Sequence, residues 1–222
     1  MIRLNKFIAE RLNVSRRKAD ELISSGVISV NSAPGTVGQQ VDPTLDTVLY
    51  NNLELPGAKP TLTILFNKPR GFVCSRNNQG SYTIYDILPK EYHHLNPIGR
   101  LDKDSGGLLV LTNDGELNQQ LSHPSFEKEK VYRVSINKPL HPGDVEILTN
   151  GVELEDGPSV LGIGNLNDDR KQMLVTLHEG RNRQIRRSFE ALGYRVTKLI
   201  RQQFGEYSLS QVPKPRDILE IS

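Results

Sequence analysis

Midway along the chain an uninterrupted apolar run, Leu108-Leu109-Val110-Leu111, continued by Thr112, follows directly on two glycines and a charged loop. A run of this length bounded by turn signals reads as a buried strand. The loop ahead of it, Asn96-Pro97-Ile98-Gly99-Arg100-Leu101-Asp102-Lys103-Asp104-Ser105-Gly106-Gly107, sets an arginine and two acids beside that strand. Its glycines let the backbone turn. A polar loop held by a core strand is a common setting for chemistry; a solvated surface turn is the plain alternative.

With 222 residues, the chain has room for one large domain or a small one followed by a medium one. Its hydrophobic runs are too short for a membrane span. Arg3, Lys6 and Glu10 interrupt the opening residues, so no signal segment is expected. Cys74 is the single cysteine, which rules out an internal disulfide and a cysteine zinc site and suits a reducing, cytoplasmic setting. His93, His94, His123, His141 and His178 lack the helical spacing of metal ligands. There is no Gly-rich phosphate loop, no dinucleotide fingerprint and no nucleophile elbow. The expectation is therefore no metal, no nucleotide and no other cofactor, which leaves carboxylate chemistry.

The net charge of +2 names no partner, but its distribution does. Residues 1–25 carry six basic side chains against three acids. Residues 170–201 carry nine, mostly arginine, against Glu179 and Glu190. Two basic zones around a near-neutral middle point to a polyanion touched at two places.

In chain order, Leu4, Phe7, Ile8 and Leu12 recur at helical spacing. Ser15 stands where an N-cap belongs, ahead of a second helix with Ala19, Leu22 and Ile23 on one face and Gly26 as its stop. Strands are expected at Val27–Asn31 and Thr47–Tyr50. Arg16, Arg17 and Lys18 crowd the positive end of the second helix, a conflict that a bound anion would relieve. This arrangement resembles the small RNA-binding module named after ribosomal protein S-four. The matching stretches are Arg3–Ile8, Ser15–Asp20 and Gly26–Asn31. The resemblance implies contact with structured RNA through Arg3, Lys6, Ser15, Arg16, Arg17 and Lys18.

Residues 51–61, with two prolines and a glycine, read as a linker. The domains are thus expected at 1–50 and 62–222. In the second, strands are expected at Leu62–Phe66, Leu108–Thr112, Val131–Ile136, Ser159–Ile163, Met173–Leu177 and Tyr194–Ile200. Helices are expected around Leu117 and Leu121 and over Asn182–Leu192, with Gly193 as the stop. Without regular βαβ alternation, this predicts an α+β protein: a small helical/β domain followed by a larger one with a mostly antiparallel mixed sheet flanked by helices.

Gly99-Arg100-Leu101-Asp102, Lys130-Val131-Tyr132 and Glu179-Gly180-Arg181-Asn182-Arg183-Gln184-Ile185-Arg186-Arg187 resemble, in order and approximate spacing, the motifs of RNA pseudouridine synthases. The branch is that of RsuA, RluB, RluE and RluF, whose members often pair this domain with an S-four module. Carried over, Asp102 matches the catalytic aspartate and Arg100 the arginine that fills the space left by a flipped uridine. Tyr132 matches the tyrosine that stacks on the target base, and Arg186 the arginine that pairs with the acid. Leu199 matches the apolar residue lining the pocket, and Arg183 in the same motif is expected to contact substrate. Asp104 is expected to be a structural or solvated acid. Ser188 replaces a frequent methionine, with an effect on packing rather than chemistry.

The implied reaction isomerises a uridine of ribosomal RNA, large-subunit RNA being slightly favoured, either naked or in an assembly intermediate. It involves no redox change, which agrees with the missing cofactor motifs, and a monomer is expected. A non-catalytic RNA-binding assembly factor would use the same surfaces but has no need of Asp102 facing a basic cleft. A glycosidase would want two carboxylates flanking one bond, and Asp102 and Asp104, two residues apart on one loop, need not face each other.

Overall fold

The computed structural model describes residues 1–76, 80–122 and 128–221, and the chain falls into two compact units, Met1–Pro60 and Thr61–Ser222. The first unit contains β1 (Ile2–Arg3), α1 (Leu4–Leu12), α2 (Arg16–Ser24), β2 (Ile28–Val30), β3 (Ala33–Pro34), β4 (Gln40–Val41), β5 (Val48–Tyr50) and β6 (Leu53–Glu54). Leu4, Phe7 and Ile8 of α1 and Ala19 and Ile23 of α2 bury themselves against Ile28, Val30, Val41 and Val48. The Ser15 hydroxyl accepts from the Lys18 amide at 3.1 Å, satisfying one of the free donors that open α2. Gly26 closes that helix with a φ of +75°. Asn5 reaches across from α1 and donates to both carboxylate oxygens of Asp20 at 3.0 Å.

The stretch expected to be linker from residue 51 begins inside this unit. Asn51 and Asn52 both take positive φ, 51° and 62°, and form a two-residue turn that returns the chain as β6 on β5. Asparagine tolerates that conformation better than most residues.

The second unit opens with β7 (Thr63–Lys68), β8 (Asn96–Ile98), β9 (Gly106–Thr112), α3 (Gly115–Ser122), β10 (Lys130–Ile136) and α4 (Pro142–Asn150). It continues with β11 (Val152–Leu154), β12 (Gly157–Ser159), β13 (Gly162–Gly164), β14 (Gln172–Leu177), α5 (Gln184–Ala191), β15 (Val196–Phe204), β16 (Tyr207–Ser208) and β17 (Ile218–Ile221). Nine strands form one sheet in the order β13-β14-β10-β15-β9-β7-β17, with β16 on β15 and β8 on β9. Every pairing in it is antiparallel except β15 with β9.

All residues of β7 and β9 are buried. Phe66, Leu109 and Leu111 pack with Ile84 and Leu95 on one face, while Leu65, Leu108 and Val110 pack with Ile98, Leu121 and Phe204 on the other. A strand covered on both sides has no polar face to show, hence the unbroken apolar run. A separate cluster, built on Val134, Val175, Phe189, Tyr194 and Leu199, covers the β10–β14 side.

Two expectations need correction here. Ser159–Ile163 is not one strand: β12 pairs with β11, and β13 pairs with β14. Between them Leu161 turns inward and donates its amide to Leu148 O at 2.9 Å. Tyr194 does not open β15; with Gly193 at a φ of +76°, it closes α5 by donating its backbone N–H to Phe189 O at 2.9 Å. Helix α4, capped by His141 and started by Pro142, and the edge strand β17 were not expected. Among the described residues, no helix is long and apolar enough to cross a membrane.

The parallel junction of β9 and β15 is only two residues long, Ile200 beside Gly106 and Arg201 beside Gly107. Gly107 has a φ of +97°, and a Cβ there would lie 2.4 Å from Arg201 O and 2.7 Å from Arg201 N. Backbone cannot move aside as a flexible side chain can. Gly107→Ala is expected to lower unfolding free energy by about 3 kcal/mol; an unchanged urea midpoint would show that the two strands do not depend on this approach.

Candidate active site

The loop between β8 and β9 is held largely through its backbone carbonyls and amides. Lys68, fully buried at the end of β7, donates from Nζ to Ser105 O at 2.7 Å and to Asp102 O and Pro69 O at 3.2 Å. Burial lowers its pKa from 10.5 to about 8, so at pH 7 it keeps its charge and all three donors. The Ser105 amide closes a turn onto Asp102 O at 3.0 Å, and the Gly71 amide donates to Lys103 O at 2.7 Å. On the other side the Leu101 amide points at the Cys74 sulfur at 3.5 Å, whose thiol burial pushes up in pKa.

The Asp102 side chain, one-third exposed, borders a cleft of about 640 Å³. Arg100, Leu101, Tyr132, Arg183, Ile185 and Leu199 line the same cleft. Tyr132 and Leu199 reach it from neighbouring strands and are 8% and 5% exposed. Their register explains this: Val134 pairs with Leu199 across β10 and β15, and Tyr132 stands two residues along on the same face. Arg100 is exposed at the rim.

Of the six site residues expected in this unit, the structure brings five to the cleft: Asp102, Tyr132, Arg100, Leu199 and Arg183. The cation in ion-pair range of Asp102 is Arg183, while Asp102 acts on the expected Arg186 only through its longer-range field. Arg183 Nη1 lies 3.8 Å from Asp102 Oδ2, whereas Arg186 spends its guanidinium on Val196 O at 3.0 Å and Asp104 O at 3.1 Å. The reason is local backbone: Arg183 sits just before α5 with φ 47° and ψ 30°, which turns it out of the helix. Arg186 lies a turn further on, where it staples α5 to the loop. Asp104 is exposed and contributes its carbonyl, a structural part. Ser188 is buried, with its hydroxyl on Ser159 Oγ at 2.9 Å and Gln184 O at 3.0 Å, so it acts in packing.

A carboxylate beside a guanidinium, over an aromatic and a leucine, can act as nucleophile or base toward a flat, partly apolar group. Among the described residues no His, Cys, Asp and Glu side chains gather as a metal would need; His123 lies outside them.

A family model described as RNA pseudouridylate synthase matches residues 62–191. The chain belongs to that family. It is 38% identical over 217 residues to the ribosomal large subunit pseudouridine synthase B of Bacillus subtilis (strain 168), covering 94% of this chain and 88% of that one. It is 31% identical over 220 residues to the ribosomal small subunit pseudouridine synthase A of Vibrio vulnificus (strain CMCP6), covering 96% and 93%. A crystal structure of a pseudouridylate synthase aligns with a TM-score of 0.70 at 28% identity, over 100% of this chain and 96% of the other. The chain is thus an isomerase of the RluB/RsuA branch, with the α+β architecture expected from its sequence.

Sequence reasoning assigned no role in this synthase to Lys68, Cys74 or Gln184. A lysine close behind the apolar run Ile64-Leu65-Phe66 is a signal for the first, since a buried ammonium must find acceptors. Lys68→Met keeps the stem but strands three carbonyls, and is expected to cost on the order of 3 kcal/mol. An unchanged urea midpoint would mean that the loop is held by other contacts.

The RNA-binding residues expected in the first unit all lie on or next to α1 and α2. Arg3 precedes α1, Lys6 lies 3.8 Å from Glu10, and Lys18 pairs with Glu21 at 2.9 Å. Arg16 and Arg17 are exposed and, among the described residues, form no ion pair.

Proposed function

We propose that the protein converts a uridine of ribosomal RNA to pseudouridine at the Asp102 cleft, with large-subunit RNA as the favoured target. The observation that carries this is the ionisable Asp102 beside Arg183, over Tyr132 and Leu199, in a cleft with room for one base. The large-subunit preference is supported by relatives such as the large subunit synthase of Bacillus subtilis and its namesake in Yersinia pestis, 35% identical over 220 residues.

In this reading a target uridine leaves its stack and enters the cleft, at a cost of a few kcal/mol. Arg100 at the rim occupies the gap in the RNA, and the Tyr132 ring receives the base. Asp102 attacks the sugar or the base, or takes a proton. The bond from ribose to base nitrogen breaks, the base turns, and a bond from ribose to base carbon forms. That carbon gives up its proton and the released nitrogen gains one, so the product is an isomer and no co-reactant is consumed. Arg183 keeps the attacking carboxylate company until RNA displaces or joins it. Arg186 acts from behind, by holding α5 to the loop.

The first unit docks on folded RNA through α2, where Arg16 and Arg17 form no ion pair among the described residues and the helix start adds its own positive potential. Such an enzyme works where ribosomal RNA or its assembly intermediates are found, in the cytoplasm, as a monomer.

Asp102→Ala is expected to lower turnover by about a thousandfold or more while RNA affinity stays largely intact. Turnover that survives would remove Asp102 from the chemistry. Arg16→Ala with Arg17→Ala is expected to reduce the slope of log affinity against log salt by about 1.5 to 2. An unchanged slope would assign docking to another surface.

A further inference from the structure

Not every arginine of the second basic zone is free for RNA. Arg187 meets Asp156 as a two-pronged fork, Nη1 to Oδ1 at 2.9 Å and Nη2 to Oδ2 at 2.8 Å, and donates from Nε to Asn182 O at 2.9 Å. Arg181 Nη1 donates to Asp156 O at 3.0 Å, Asp156 Oδ1 at 3.1 Å and Gly157 O at 2.9 Å, and its Nη2 donates to Pro158 O at 2.7 Å. Arg181 Nη2 also lies 3.3 Å from Glu179 Oε1. Asp156 sits in the turn between β11 and β12, where Gly157 takes a φ of +102°. The Arg187 hydrogen bonds hold its carboxyl below the usual carboxylate range. The Asp156 carboxylate holds Arg187, and the same carboxylate with the carbonyls of Asp156, Gly157 and Pro158 holds Arg181, so one hairpin grips both ends of the segment 181–187.

That segment is the one that lines the cleft. Arg181, Asn182, Arg183, Gln184 and Ile185 all border it. Arg183, in the left-handed region just ahead of α5, accepts the Arg187 amide on its carbonyl at 3.0 Å, while its side chain must reach Asp102. Exposed single ion pairs contribute little, but a bidentate fork joined to five further donor contacts defines a backbone path.

We propose that Asp156 is a positioning residue of the synthase, fixing through Arg181 and Arg187 the segment that presents Asn182 and Arg183 to Asp102. This rests on the assignment of the cleft as the active site. Asp156 touches no substrate; its effect travels through Arg183. Small displacements of a positioning group can cost a large rate factor, and residues acting through one another give non-additive losses.

Two measurements test it on the full chain. Limited trypsin digestion of Asp156→Ala should cleave after Arg181 and Arg183 several-fold faster than in the unmodified protein, with Asp156→Glu protected. Unchanged cleavage, or acceleration spread through the whole chain, overturns the proposal. This readout needs no turnover, so it stands even if the reaction assigned to the cleft is wrong. In pseudouridine formation, Asp156→Ala should lower kcat about tenfold with little change in KM. Adding it to Arg183→Ala should cause no further loss. Fully additive losses would show that Asp156 does not act through Arg183.

Discussion

The site depends on how a charged loop is anchored to two strands, β7 and β9, that are buried along their whole length. Two buried cations achieve it by spending their donors on backbone carbonyls. Lys68 binds the carbonyls of Asp102 and Ser105, and Arg201, 1% exposed, donates from Nε to Leu108 O at 2.7 Å. Between them Gly107 lets β9 meet β15 closely enough to make the one parallel pairing of the sheet. Charges buried without carboxylate partners are costly; carbonyl dipoles meet part of that cost, Arg201 Nη2 having no hydrogen-bond partner among the described residues, and they fix where the loop joins β9. The Asp102 side chain is left to face the cleft because its backbone is already committed.

The same division of labour runs through the arginines. Arg186 and Arg201 act on backbone carbonyls, and Arg181 and Arg187 on a hairpin turn. Arg100 and Arg183 stay at the cleft, and Arg16 and Arg17 stay exposed on the other unit. A count of basic residues therefore overstates the surface available to RNA. The positive charge that matters is the part not already answered by an acceptor of the protein itself.

Much of this was legible in the sequence where the signal is local. The apolar run of β9, the Ser15 cap and the stops at Gly26 and Gly193 all depend on neighbours within a few residues. The cleft-lining residues were legible through their motifs. What was hidden depends on distant partners. Nothing near Ile218–Ile221 says that it will pair with Thr63–Phe66, and nothing in Ser159–Ile163 says that each end will join a different strand. The hairpin at Asn51-Asn52 carried a readable signal in its two asparagines, outweighed by the prolines that follow. The exchange of Arg186 for Arg183 beside Asp102 turns on one left-handed residue, which spacing alone does not reveal.

The most direct test of the account is site-resolved mapping of pseudouridine in large- and small-subunit ribosomal RNA after incubation with the purified protein, with Asp102→Ala run beside it. The account predicts one new pseudouridine, in large-subunit RNA, with the unmodified protein only. A site that also appears with Asp102→Ala, or binding to RNA with no pseudouridine formed on either subunit's RNA, naked or assembled, would contradict it.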